Sequence, residues 1–156
     1  MENQNSQNLL SEVQINSVIT LYSNGKFNEA INRIKELNET YPNVPLLFNI
    51  LGACYKAIGN LEGAKQMFET ATKIKPNYAE AYFNLALVNQ QLSFINDATD
   101  AYLKAIEINP QYPDAHNNIG ILYLNSKSFD LAIDHFEFAI SLKSDFSEAY
   151  NNLGSA

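Results

Sequence analysis

Apolar residues along this chain recur at helical spacing, in short stretches broken by small or polar turns. Leu51, Cys54, Tyr55 and Ile58 lead to the Gly59-Asn60 break, and Leu61, Ala64, Met67, Phe68 and Ala71 follow it. Spacings of three and four residues place each set on one face of a helix, so the two stretches predict a pair of antiparallel helices. The same pair returns along the chain: Ala64, Ala98 and Ala132 stand 34 residues apart, as do Phe68, Tyr102 and Phe136, and then Ala71, Ala105 and Ala139. A period of this length marks a stacked array in which each unit buries its apolar face against its neighbours. The pattern predicts an all-α protein, an α-solenoid of helix pairs at 12–24 and 27–40, 46–58 and 61–74, 79–91 and 95–108, and 113–125 and 129–142, with a last helix from 147.

Numbering each repeat from Ser11, Pro45, Ala79, Pro113 and Ser147 gives four full repeats, 11–44, 45–78, 79–112 and 113–146, and a partial fifth, 147–156, after a polar lead-in over 1–10. In the second repeat Phe48, Leu51, Gly52, Tyr55, Ala64, Phe68, Ala71 and Pro76 occupy positions 4, 7, 8, 11, 20, 24, 27 and 32. The third carries Tyr82, Leu85, Ala86, Asn89, Ala98, Tyr102, Ala105 and Pro110 there; the fourth carries His116, Ile119, Gly120, Tyr123, Ala132, Phe136 and Ala139. The set resembles the tetratricopeptide repeat (TPR), whose pattern has an aromatic residue, Leu-Gly, Tyr, Ala, Phe and Pro in this order. The first repeat is degenerate, with Ser17-Val18 in place of the Leu-Gly pair, but keeps Leu21, Ala30 and Pro42. Small residues at positions 8 and 20 let paired helices approach, and the ring at position 24 fills the space they leave.

Charge alters the picture only in the second half. Up to Tyr78 seven acidic residues balance seven basic ones; from Ala79 there are ten acidic and three basic, so the whole net charge of −7 lies there. Phosphate binding needs a basic stripe, so nucleic acid is not an expected partner. No apolar run approaches the length of a membrane span and residues 1–10 lack the build of a signal peptide, so no membrane partner and a cytoplasmic location are expected. The wealth of Asn, Ile and Lys suits an AT-rich genome, and the opening repeat is similar to that of bacterial TPR proteins. Asp97, Asp100, Asp130, Asp134 and Glu137 are expected to solvate the outer faces of second helices.

Candidate chemistry is sparse. Cys54, at position 10 of a first helix, is expected to be a buried thiol. His116 and His135 share one repeat without a third ligand at metal spacing, and His116 is expected to pack as the aromatic residue it replaces. Phosphate loops, nucleophile elbows and zinc-protease helices are absent, so the sequence gives no reason to expect catalysis, a metal or a cofactor in this segment.

The resemblance implies that first helices line a concave groove, into which positions 2, 5, 6, 9, 12 and 13 reach. Position 6 reads Asn16, Ile50, Asn84, Asn118 and Asn152. A carboxamide donates and accepts at once, so amides in series can grip a polypeptide by its main chain. Asn84, Asn118 and Asn152 resemble the asparagine ladder in the TPR superhelix of the O-linked N-acetylglucosamine transferase, which holds substrate polypeptides. Phe83, Leu87, Ile121 and Leu124 would add apolar contacts beside Gln90, Gln91, Asn117 and Asn125, suiting an extended peptide. Positions 5 and 13 lack the Lys or Arg with which some TPR domains clamp a chaperone's terminal carboxylate.

The expected function is a protein- or peptide-binding scaffold. Two alternatives stand beside it: the substrate-recruiting N-terminal arm of a glycosyltransferase or sulfotransferase, and a self-association module. The sequence stops at position 10 of a fifth first helix without a polar capping helix, so parts of Phe136, Ile140 and Leu153 are expected to be exposed and to favour weak self-association.

Overall fold

A computed structural model describes residues 10–156, and apart from Leu10 the lead-in lies outside the described residues. All regular structure among them is α-helical. The chain divides into two compact units, one reaching to Lys75 and the other beginning at Pro76.

The first unit holds α1 (Glu12–Ser23), α2 (Phe27–Thr40), α3 (Pro45–Ala57) and α4 (Leu61–Ile74). Ser11 starts α1 through a capping box: its hydroxyl accepts from the Gln14 backbone N–H at 3.3 Å, and the Gln14 side chain accepts from the Ser11 N–H at 3.0 Å. Asn60 caps α4 by accepting from the Gly63 N–H at 2.9 Å. Pro45 opens α3, where its missing N–H costs nothing. The core gathers Val18, Ala30, Ile34, Leu37, Leu47, Leu51 and Cys54. Burial pushes the Cys54 thiol up to about 11, so it stays protonated and inert at neutral pH.

The second unit holds α5 (Ala79–Gln91), α6 (Ile95–Ile108), α7 (Pro113–Asn125), α8 (Phe129–Leu142) and the short α9 (Ser147–Leu153). Within it α5 packs on α6, α7 on both α6 and α8, and α9 on α7 and α8. Every boundary falls within a residue of the sequence expectation. One expectation fails: Phe136 is fully enclosed rather than open at the end, while Ile140 and Leu153 are half-buried. A ring at position 24 points back at its own first helix, whose Gly120 receives it, and does not depend on a further repeat for cover.

Pairing of positions 8 and 24 follows volume. A β-carbon built on Gly52 would lie 2.7 Å from the Phe68 ring, and one on Gly120 2.6 Å from Phe136, so only glycine fits under a phenylalanine there. The other repeats pair Ala86 with Tyr102 and Val18 with Ile34, each pair in one core cluster. Ala64, Ala98 and Ala132 at position 20 are likewise fully buried. Ala98→Leu should therefore overpack α5 against α6, costing about 1–3 kcal/mol in urea unfolding.

Position 15 closes each helix pair with a left-handed residue: Gly25 (φ 73°), Gly59 (φ 81°), Ser93 (φ 65°) and Lys127 (φ 61°). Glycine takes this conformation freely, whereas side-chain-bearing residues are strained in it. Ser93→Gly should raise stability by about 0.5–1 kcal/mol, the strain relieved less the added entropy of the unfolded glycine, measured by urea denaturation.

Candidate peptide-binding face

All eleven residues expected to contact a ligand lie in the second unit, on α5, α7 and α9. Asn84, Asn118 and Asn152 occupy the same place on these three helices and are half-buried. Phe83, Leu87, Gln90, Ile121 and Leu124 are also half-buried, while Gln91 and Asn125 are exposed. Phe83 is held between two rings, stacked on Tyr112 with centroids 4.8 Å apart and tilted against Tyr102 at 5.8 Å.

Asn117 departs from the expectation, being fully enclosed. Its Nδ2 donates to Glu148 Oε1 at 3.2 Å and, at a long 3.4 Å, to Asn118 Oδ1, while its Oδ1 accepts from Asn152 Nδ2 at 2.9 Å. Its carboxamide thus ties α7 to α9, and a buried amide so engaged is no contact surface for another chain. Asn152 spends one N–H on this bond, and its other N–H and its carbonyl oxygen have no partner among the described residues.

A second network was not foreseen from sequence. The Tyr102 hydroxyl donates to Gln90 Oε1 at 3.0 Å and meets the Asn118 carboxamide, linking α5, α6 and α7. Burial pushes the Tyr102 hydroxyl well above its ordinary value, with the Asn118 bond acting against this, so it stays a neutral donor. Tyr112 is pushed up to about 12, chiefly by burial and further by Glu80 and Asp114. The available signal was that position 24 is phenylalanine in the second and fourth repeats and tyrosine only in the third. Asn118 therefore supports the core as well as facing outward, contrary to a purely outward role for position 6.

His116 is buried and half-ringed by aromatic groups, with Phe138 at 4.6 Å and His135 at 5.2 Å between centroids. His116 Nε2 lies 3.1 Å from the Pro110 carbonyl and its Nδ1 lies 2.9 Å from His135 Nδ1. A carbonyl only accepts, so His116 carries its hydrogen on Nε2, and its bare Nδ1 accepts from His135 Nδ1–H. Tyr123 stacks on His135 from the other end of α7, at 5.6 Å. Among the described residues no group of three or more His, Cys, Asp or Glu is placed to hold a metal ion, and no helix is long and apolar enough to cross a membrane.

A family model described as TPR repeat matches residues 52–93 and 95–127, and one described as tetratricopeptide repeat matches 113–146. The chain belongs to the TPR family. Among solved structures, a crystal structure of MamA is similar over 94% of this chain and 83% of that one, with 28% identity and a TM-score of 0.81. A thermophilic TPR protein of Thermus thermophilus, TTC0263, is similar over 88% of this chain and 76% of its own, with a TM-score of 0.74; at 21% identity it shows the TPR fold alone. A peroxisomal targeting signal receptor of Kluyveromyces lactis is 29% identical over 92 residues, 59% of this chain. The chain spans only 16% of that receptor's length. Together the TPR repeats and their helix pairs make this a repeat scaffold of a type given to protein–protein interaction.

Proposed function

We propose that the second unit binds an extended polypeptide along the face formed by α5, α7 and α9, and that Asn84, Asn118 and Asn152 grip its main chain. The observation that carries this reading is the recurrence of one amide at one place on three successive first helices, each left partly open. Asn118 and Asn152 are pre-oriented by bonds to Tyr102 and Asn117, so less side-chain freedom is lost when a ligand binds. Leu87, Ile121 and Leu124 supply apolar contact beside them, and Gln91 and Asn125 form a polar rim. A similar protein serves as a receptor for a peroxisomal targeting signal, in keeping with recognition of a peptide segment. Binding alone accounts for the arrangement, and no catalytic step is invoked.

Peptides selected from a random display library on the full chain test the reading. Asn118→Ala should weaken binding by about 0.5–1.5 kcal/mol and, because the Tyr102 contact goes with it, lower stability by a similar amount. Methylating the peptide's backbone nitrogens should weaken binding, while side-chain exchanges matter less. Full-affinity binding by a folded Asn84→Ala, Asn118→Ala, Asn152→Ala variant would sink the proposal.

A further inference from the structure

At two outward positions α8 differs from every other second helix in the chain. Position 19 reads Glu29, Gly63, Asp97 and Leu131, and position 26 reads Glu36, Thr70, Lys104 and Phe138. Only the fourth repeat places large apolar residues at both, and both are exposed, Leu131 at 47% and Phe138 at 44%. Seven residues apart, they share one helix face about 10 Å from each other. Phe138 is not a loose ring, because its inner edge rests on His116, and His135, one turn before it, is held by Tyr123 and His116. The result is a pair of apolar side chains, Leu131 and Phe138, standing open where the other repeats present charged or small residues.

Acidic residues accompany the pair: Asp134, three residues after Leu131 and four before Phe138, lies between them, and Asp130 and Glu137 flank them. Asp130, Asp134 and Glu137 are exposed on α8 and have no ion-pair partner among the described residues, whereas Lys104 on α6 is already engaged by Glu107 at 2.8 Å. With ten acidic and three basic residues from Ala79 onward, the surroundings do not neutralise them.

We infer that the outer face of α8 docks a basic amphipathic helix of another protein. Its apolar side chains, one heptad apart, would cover Leu131 and Phe138, and its flanking Lys or Arg would meet Asp130, Asp134 and Glu137. Charge complementarity selects this occupant. The same acidic border repels an anionic membrane or nucleic acid and opposes pairing of this face with its own copy. The inference is independent of the asparagine face, which lies on the first helices.

The test uses the full chain and a fluorescein-labelled 18-residue helical peptide of leucine and lysine with its leucines on one face, read by fluorescence anisotropy. Leu131→Ser with Phe138→Ser should weaken binding at least tenfold, while Asn118→Ala should leave it unchanged. Asp130→Asn with Asp134→Asn should also weaken binding and flatten its salt dependence. If the Phe138 change unfolds the repeat by baring His116, Leu131→Lys, on the exposed rim alone, must still lower affinity. Equal binding of a scrambled peptide of the same composition would reduce the effect to bulk charge and overturn the inference. Unchanged affinity in the α8 variants would do the same, as would a concentration-dependent dimer abolished by them, which would make a second copy the occupant.

Discussion

Phe136→Ala should destabilise the protein more than any substitution on its surface, by about 3–5 kcal/mol in urea or thermal unfolding. The ring is fully buried, lies over Gly120 and joins α8 to α7, so its loss leaves a cavity that the helix backbones cannot close. Gly120→Ala examines the same contact from the other side. In an ordinary helix this change gains about 1 kcal/mol. Here the new carbon would sit 2.6 Å from the ring, so the net effect should be a loss of stability. Combining Gly120→Val with Phe136→Ile reproduces the Val18–Ile34 pair of the first repeat and should recover part of it. A Gly120→Ala variant more stable than the parent would show that the ring is free to shift.

Acidification should loosen the fourth repeat through its histidine pair. His116 is shifted below its ordinary value by burial, with the Pro110 carbonyl acting against this; His135 is lowered by burial and by His116, with Asp134 opposing. Phe138 and Tyr123 contribute no charge at the pair. Lowered values mean that the folded state holds these rings neutral while the unfolded chain takes up protons near pH 6.5. Their contribution is then whole above that pH and is lost as pH falls from 6.5 toward the folded-state values. A first proton can enter at His135 Nε2 without breaking the bond between the rings, but a second would set two N–H groups face to face across 2.9 Å. Urea midpoints should therefore fall between about pH 7 and about pH 5.5. The fall should be smaller when His116→Phe and His135→Met install the Phe48 and Met67 of the second repeat. An identical pH profile in that variant would exclude the pair as the source.

Periodicity determined the helices and their boundaries, because a 34-residue repeat writes nearly the same core positions in successive copies and each copy checks the others. The buried thiol of Cys54 and the aromatic-like packing of His116 were legible for the same reason, since both occupy positions whose neighbours recur. What the outward-facing polar residues do was not legible. Side-chain amides choose partners by distance and direction across helices, and sequence spacing does not carry that information. Only the tertiary structure could enclose Asn117 between Asn152 and Glu148, set the Tyr102 hydroxyl between Gln90 and Asn118, and bring His116 and His135 to hydrogen-bonding distance. The structure likewise shows how far Leu131 and Phe138 stand open: Ala132, Phe136 and Ala139 already fill the inner face of α8, which leaves these two facing solvent.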